Sequence, residues 1–220
     1  MVVPAEPDTM LRVTEIFHSI QGESSRVGLP TVFVRLTGCP LRCVWCDTAY
    51  AFSGGEYLGI AEILRRVAEF NCATVCVTGG EPLAQNGCLP LLVALCDAGH
   101  SVSLETSGAL DIAGIDPRVA RIVDLKAPGS GETKKNRWEN LDLLTARDEL
   151  KLVLASREDY DWALSACRQR RLLERCQVLF SPVQGQLDPT QLAQWILDDG
   201  LLVRFQLQLH KLLWGNTQGR

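Results

Sequence analysis

Long apolar runs are missing from this chain. No stretch approaches the roughly 20 apolar residues that cross a bilayer, and the opening MVVPAEPDTMLRV has no basic segment followed by an apolar core. A cytoplasmic protein with no membrane partner is expected. A net positive charge is also missing: 22 Lys and Arg against 26 Asp and Glu leave a formal net charge of −4, which gives no general attraction to a nucleic-acid backbone and favours a small molecule as partner. No Ser/Gly-rich or charge-rich stretch divides the 220 residues, so one domain over 1–220 is expected. Histidine is limited to His18, His100 and His210, far apart in sequence. Cysteine is the exception to this economy. Nine is a high and odd number, and without a secretion signal it points to reduced thiols or metal ligands rather than a disulfide framework.

Short β-rich runs alternate with amphipathic stretches along the chain. Strands are expected at 31–36, 74–78, 101–105, 121–125, 149–154, 177–180 and 202–209. Helices are expected at 59–70, 88–99, 157–175 and 188–200, where apolar residues recur every three or four positions. This alternation predicts an α/β fold with a mostly parallel sheet flanked by helices, closed into a barrel or partly open. The segment 127–140 has no hydrophobic period and reads as a lid or a surface loop. Several strands run straight into polar or glycine-rich residues: TVFVRL into TGCPLRCVWCDT, ATVCVT into GGEP, VSLE into TSG, and RIVDL into KAP. In parallel α/β folds ligands sit at the carboxyl ends of strands, so these segments are expected around one cavity.

The densest of them holds Cys39, Cys43 and Cys46 within eight positions and no close fourth Cys or His. A structural zinc takes four protein ligands. A 4Fe-4S cluster held by three thiolates leaves one iron open. This CxxxCxxC spacing, with Trp45 before the last cysteine, resembles the cluster loop of radical S-adenosylmethionine enzymes, and TGGEP (78–82) resembles the segment with which they hold the cofactor's amino group. The resemblance implies a 4Fe-4S cluster on Cys39, Cys43 and Cys46, S-adenosyl-L-methionine on the open iron, and radical chemistry supplied by that cofactor.

Three further stretches, EIFHSIQGESSRVGLPTVFVRLTGC (15–39), ETSG (105–108) and LQLHKLLWGN (207–216), resemble the 7-carboxy-7-deazaguanine synthases. Residues 1–14 lie outside this likeness as an N-terminal extension. The likeness implies a partial (β/α) barrel trimmed to fewer helices, conversion of 6-carboxy-5,6,7,8-tetrahydropterin to 7-carboxy-7-deazaguanine with loss of ammonia, Mg²⁺, a homodimer, and an electron donor such as flavodoxin or ferredoxin. It places the pterin on Ile20, Gln21, Gly22, Glu23, Arg35, Thr78, Glu105 and His210. The cofactor falls to Trp45, Cys46, Asp47, Gly80, Glu81, Asp124, Leu125, Lys126, Ser181, Pro182, Val183 and Gln184. Thr48 becomes the Mg²⁺ ligand. The types suit the tasks: a guanidinium presents two parallel donors to a carboxylate, and Mg²⁺ keeps most of its waters and needs few protein oxygens.

Each assignment has an ordinary competitor. Arg35 could be a strand residue paired with a carboxylate, Thr48 a local cap, and Glu105 or His210 structural. The remaining cysteines read as small hydrophobes, and RQRRLLER (168–175) as a solvated helix face. Ser24 stands where the related motif often has glycine, which puts any positive φ there in question. A glycyl-radical activating enzyme and a non-enzymatic metal-binding module are the rival readings.

Overall fold

The computed structural model describes residues 9–215 and 217–220. Its strands are β1 (Met10–Ile20), β2 (Pro30–Leu36), β3 (Glu56–Gly59), β4 (Thr74–Gly79), β5 (Ser101–Thr106), β6 (Ala120–Asp124), β7 (Glu149–Leu154), β8 (Gln177–Pro182) and β9 (Arg204–Phe205). They form one sheet in the order β3-β1-β2-β4-β5-β6-β7-β8-β9. β1 runs antiparallel to β2 and β3, and from β2 to β9 each strand is parallel to the next. Parallel neighbours that follow one another in sequence are the winding of a (β/α) barrel. Here β3 and β9 remain separate edges, so the barrel is partial.

The strands are two-faced, and the faces have different work. Val32, Val34 and Leu36 of β2, Val75 and Val77 of β4, Leu150, Leu152 and Leu154 of β7, and Val178 and Phe180 of β8 turn outward into one apolar cluster. There they meet Ile63 and Val67 of α1 (Ile60–Ala68), Leu91, Leu92 and Leu95 of α2 (Cys88–Asp97), Tyr160 and Ala163 of α3 (Arg157–Gln169), and Leu192 and Ile196 of α4 (Pro189–Asp198). Each such side chain contributes roughly 1.5–3 kcal/mol when fully buried. The alternate positions point to the concave side, where Phe33, Arg35, Thr78, Glu105, Ile122, Asp124, Lys151 and Val153 line a cavity. A run of six residues such as ELKLVL therefore serves core and site at once.

Helix starts follow local chemistry. The Ser156 hydroxyl accepts from Asp159 N at the head of α3, and Asp188 accepts from Thr190 N ahead of α4, whose first residue is Pro189. No α-helix joins β5 to β6 or β6 to β7; the second connection holds three 3-10 turns instead. This is the trimming expected of the barrel. No helix among the described residues is long and apolar enough to cross a membrane.

Four expectations need correction. β1 and β3 form where no strand is expected, and β1 carries Met10–Thr14, which with Thr9 is the described part of the stretch outside the resemblance; residues 1–8 lie outside the described residues. The strand expected at 202–209 shrinks to Arg204–Phe205, because Leu209 opens a short helix, α5 (Leu209–Trp214). His210 thus sits in the first turn of a helix and not at a strand end. The helix expected to reach 175 stops at Gln169, with Arg171 in the left-handed region at φ 53°.

Candidate active site

The cavity opens at the carboxyl ends of the parallel strands, where the four segments read from the sequence do meet. One end is the cysteine loop. Cys39, Cys43 and Cys46 are free, half-buried, and all line the cavity. Burial pushes the thiols of Cys39 and Cys43 up. The loop is fixed from outside its own sequence: Val44 N donates to Ser130 O at 3.0 Å and Arg42 N to Glu132 Oε1 at 2.6 Å. Ser130 and Glu132 belong to the 127–140 segment, which is tied to α3 because Asp159 accepts from Gly129 N at 2.7 Å and Ala155 N at 3.0 Å. Among the described residues no three His, Cys, Asp or Glu side chains converge closely enough to grip one metal ion. Three thiols lining one cavity, without a fourth ligand among the described residues, fit a four-iron cube better than a single tetrahedral ion.

GGEP packs beside this loop. A Cβ on Gly80 would lie 2.3 Å from Gly38 O and 2.7 Å from Cys39 Cβ, and one on Gly79 would lie 2.3 Å from Leu36 O. The two glycines let β4 end against the backbone that carries Cys39, besides leaving an open wall for a ligand. Glu81 is fully buried and faces away from the cavity lining. Its carboxylate accepts from Leu83 N at 3.0 Å, Thr106 Oγ1 at 2.9 Å, Ser107 N at 2.7 Å, and the Ser107 hydroxyl. It is a strut between β4 and β5, so the structure does not bring it to the cofactor end.

The other end is polar and highly paired. Arg35 donates through Nε to Glu15 Oε1 at 2.7 Å, and Tyr50 Oη donates to the same oxygen at 2.8 Å. The strand-residue reading of Arg35 is therefore half right: one edge of its guanidinium is paired, and the side chain still lines the cavity. Glu23 binds Lys151 through Oε2 and accepts from Gln208 Nε2 at 2.7 Å through Oε1. Burial would raise its carboxyl, but Lys151 overrides that and holds it at about 2. Asp124 lies 3.2 Å from Lys126 and 3.5 Å from Lys151, and Asp47 lies 3.1 Å from Lys211.

Glu105 differs from these carboxylates. It accepts from Gln21 Nε2 at 3.3 Å and Thr78 Oγ1 at 3.2 Å, and no cation lies within ion-pair distance of it among the described residues. Burial raises its carboxyl. His210 is driven down by burial and so is neutral at pH 7. It reaches the cavity because Leu209 N donates to Gly22 O at 3.0 Å; a Cβ on Gly22 would collide with the imidazole at 2.1 Å. Thr48 precedes a 3-10 turn without capping it, and its hydroxyl lies 3.8 Å from Cys46 Sγ.

Of the residues read from the sequence, Ile20, Gln21, Gly22, Glu23, Arg35, Trp45, Asp47, Thr48, Thr78, Gly80, Glu105, Asp124, Lys126, Val183 and His210 line the cavity together with the three cysteines. Leu125 lies in the apolar core, Ser181 and Pro182 are buried in β8, and Gln184 is exposed. The Ser181 hydroxyl is buried without a partner among the described residues. Sequence reasoning missed Lys151, Glu15, Gln208 and Lys211. Lys151 had a signal: a lysine flanked by apolar residues, Leu150 and Leu152 to Leu154, within an inner strand.

Comparison with known proteins agrees with this geometry. The model of the Radical SAM superfamily matches residues 33–172. The 7-carboxy-7-deazaguanine synthase of Chlorobaculum tepidum is 50% identical over 207 residues, covering 93% of this chain and 94% of that protein. Its namesake in Thermoplasma acidophilum is 38% identical over 209 residues, covering 94% and 99%. Among solved structures, QueE from Escherichia coli shares the fold with a TM-score of 0.72 at 24% identity, over 91% of this chain and 95% of that one. With a loop of three cysteines facing a cavity walled by IQGE, Arg35, Gly79, Gly80 and His210, and with relatives this similar over nearly their whole length, the chain belongs to the 7-carboxy-7-deazaguanine synthase family of the Radical SAM superfamily.

Proposed function

We propose that the chain converts 6-carboxy-5,6,7,8-tetrahydropterin to 7-carboxy-7-deazaguanine with release of ammonia. The observation that carries this reading is the pairing pattern of the polar end: among the described residues every cavity carboxylate but one has a protein cation within ion-pair distance, and Glu105 does not. A buried carboxylate in want of donors suits the guanidine-like edge of a pterin, which presents adjacent N–H groups. The Arg35 edge not taken by Glu15 is free to meet the substrate carboxylate. Gln21 offers an amide to the ring, Glu23 two remaining acceptor sites, and neutral His210 one donor and one acceptor.

Membership of the superfamily implies a 4Fe-4S cluster and S-adenosyl-L-methionine, and Cys39, Cys43 and Cys46 would hold the cluster. When bound, these two supply one-electron chemistry that moves a hydrogen atom from and back to the pterin. The chain's part is to hold the two ligands end to end and keep water from the reacting face. Gly80 and the Asp124–Lys126 segment would border the cofactor. Thr48, which caps nothing, is the proposed Mg²⁺ ligand, with the substrate and waters completing the shell. We extend the reading to a homodimer acting in the cytoplasm as one domain over 1–220, reduced by a flavodoxin or ferredoxin and needing no nucleic acid or membrane.

The test is mass spectrometry of an anaerobic reaction with reconstituted protein, reductant, S-adenosylmethionine, Mg²⁺ and the carboxytetrahydropterin. Formation of 7-carboxy-7-deazaguanine is expected. Cleavage of S-adenosylmethionine without deazaguanine would overturn the substrate assignment and leave the radical chemistry standing.

A further inference from the structure

Lys151 has no assigned part in this site, yet its placement is unusual. It sits in the middle of β7 between Leu150 and Leu152, which face the apolar core with no exposed surface. Strand alternation turns Lys151 the other way, into the cavity. β7 pairs with β6 so that Lys151 stands opposite Asp124. Its ammonium meets Glu23 Oε2 and lies 3.5 Å from Asp124 Oδ2. Glu23 comes from the turn between β1 and β2, 128 positions away in sequence. Asp124 ends β6 and is itself 3.2 Å from Lys126.

We infer that Lys151 is a positioning residue for pterin binding: its ammonium ties the turn bearing Glu23 to the end of β6 and thereby aims the Glu23 carboxylate at the ligand. This rests on the functional reading above and deepens it. A carboxylate has about four acceptor sites. Lys151 takes one on Oε2 and Gln208 takes one on Oε1, so two remain on a side chain that lines the cavity and is held by these two anchors. An ammonium carries three donors, and the one not drawn to Glu23 or Asp124 is left for the ligand. A methionine at 151 would fill the same volume but leave Glu23 held by Gln208 alone.

Removing the charge also exposes Glu23 to titration. The groups around it are Glu105 on β5, Asp124 and Lys126 at the end of β6, Arg35 on β2, and His210 with Lys211 on α5. Without Lys151, burial dominates Glu23 and raises its carboxyl, so pterin binding weakens further as the pH falls. Glu105 would rise as well, since Lys151 also lowers it; the Glu23→Gln background separates the two.

The experiment is calorimetric titration of 6-carboxytetrahydropterin into reconstituted protein with S-adenosylmethionine and Mg²⁺ present, at pH 6 and pH 8. Lys151→Met is expected to weaken binding by at least about tenfold, more at pH 6 than at pH 8. Lys151→Arg, which keeps the charge, should stay within about threefold of the parent. In a Glu23→Gln background the same Lys151→Met change should cost less than about twofold, because residues acting through one another are not additive. Lys151→Gln replaces Lys151→Met in this cycle if the latter fails to fold by circular dichroism. Equal losses in both backgrounds, or binding unchanged in Lys151→Met, would overturn the role of Lys151 alone. Parent protein that does not bind the pterin at all would overturn the substrate assignment and this inference together.

Discussion

At the scale of single residues, close contacts decide more than functional groups do. Gly80 is the sharpest case, since a side chain there strikes the Gly38 carbonyl and Cys39 Cβ, neither of which is the end of a flexible chain. Gly80→Ala is expected to destabilise the fold by about 1–3 kcal/mol and to cut iron incorporation by more than half, read as iron per chain and visible absorbance after reconstitution. Unchanged iron content would mean that the cysteine loop tolerates displacement. Ser24 shows the opposite lesson. It adopts φ 68° although it is not glycine, and its buried backbone is held on both sides by Gln206, which accepts from Ser24 N and donates to Ser24 O at 2.8 Å each. The doubt raised by QGESS is answered by a residue 182 positions away, which no local motif could reveal. Gln208 is hidden for the same reason, and so is the partner of Lys151, because a pairing distant in sequence leaves no spacing to read. Cys39, Cys43, Cys46 and the glycines were legible because their chemistry is local.

At the scale of elements, the central parallel strands were legible because each is a short apolar run closed by a polar turn. β1 was not, since its alternation of buried Leu11 and Val13 with polar neighbours passes into the IQGE motif. VRFQLQL imitates a strand by alternation, but its glutamines are spent on Ser24 and Glu23. The 127–140 segment looked free and is in fact a splint. Asp159 of α3 holds Gly129, and Ser130 and Glu132 hold the cysteine loop. Asp159→Ala removes two partly buried hydrogen bonds to a carboxylate, each worth about 1.5–3 kcal/mol. Amide hydrogen exchange should accelerate in 127–132 and in 41–46, and the cluster should be lost faster in air. Acceleration confined to 127–132 would show that the splint does not reach the cysteines.

At the scale of the whole molecule, the site joins segments from opposite ends of the described chain. Gln206, Gln208, Leu209 and Lys211 bind Ser24, Glu23, Gly22 and Asp47. The cysteine loop's other supports lie elsewhere. A chain ending at Phe205 is therefore expected to load iron normally while its affinity for the pterin falls by at least about tenfold; titration and iron analysis on one preparation check both. Loss of iron as well would mean that the Lys211 to Asp47 pair also supports the cluster loop. This order of assembly has a temporal side. Synthesis at about 5–20 residues per second delivers the sheet through β8 before residues 206–214 emerge. The wall that Gln208, His210 and Lys211 give the cavity is therefore the last of it to be synthesised, 160 positions or more after the cysteine loop it faces.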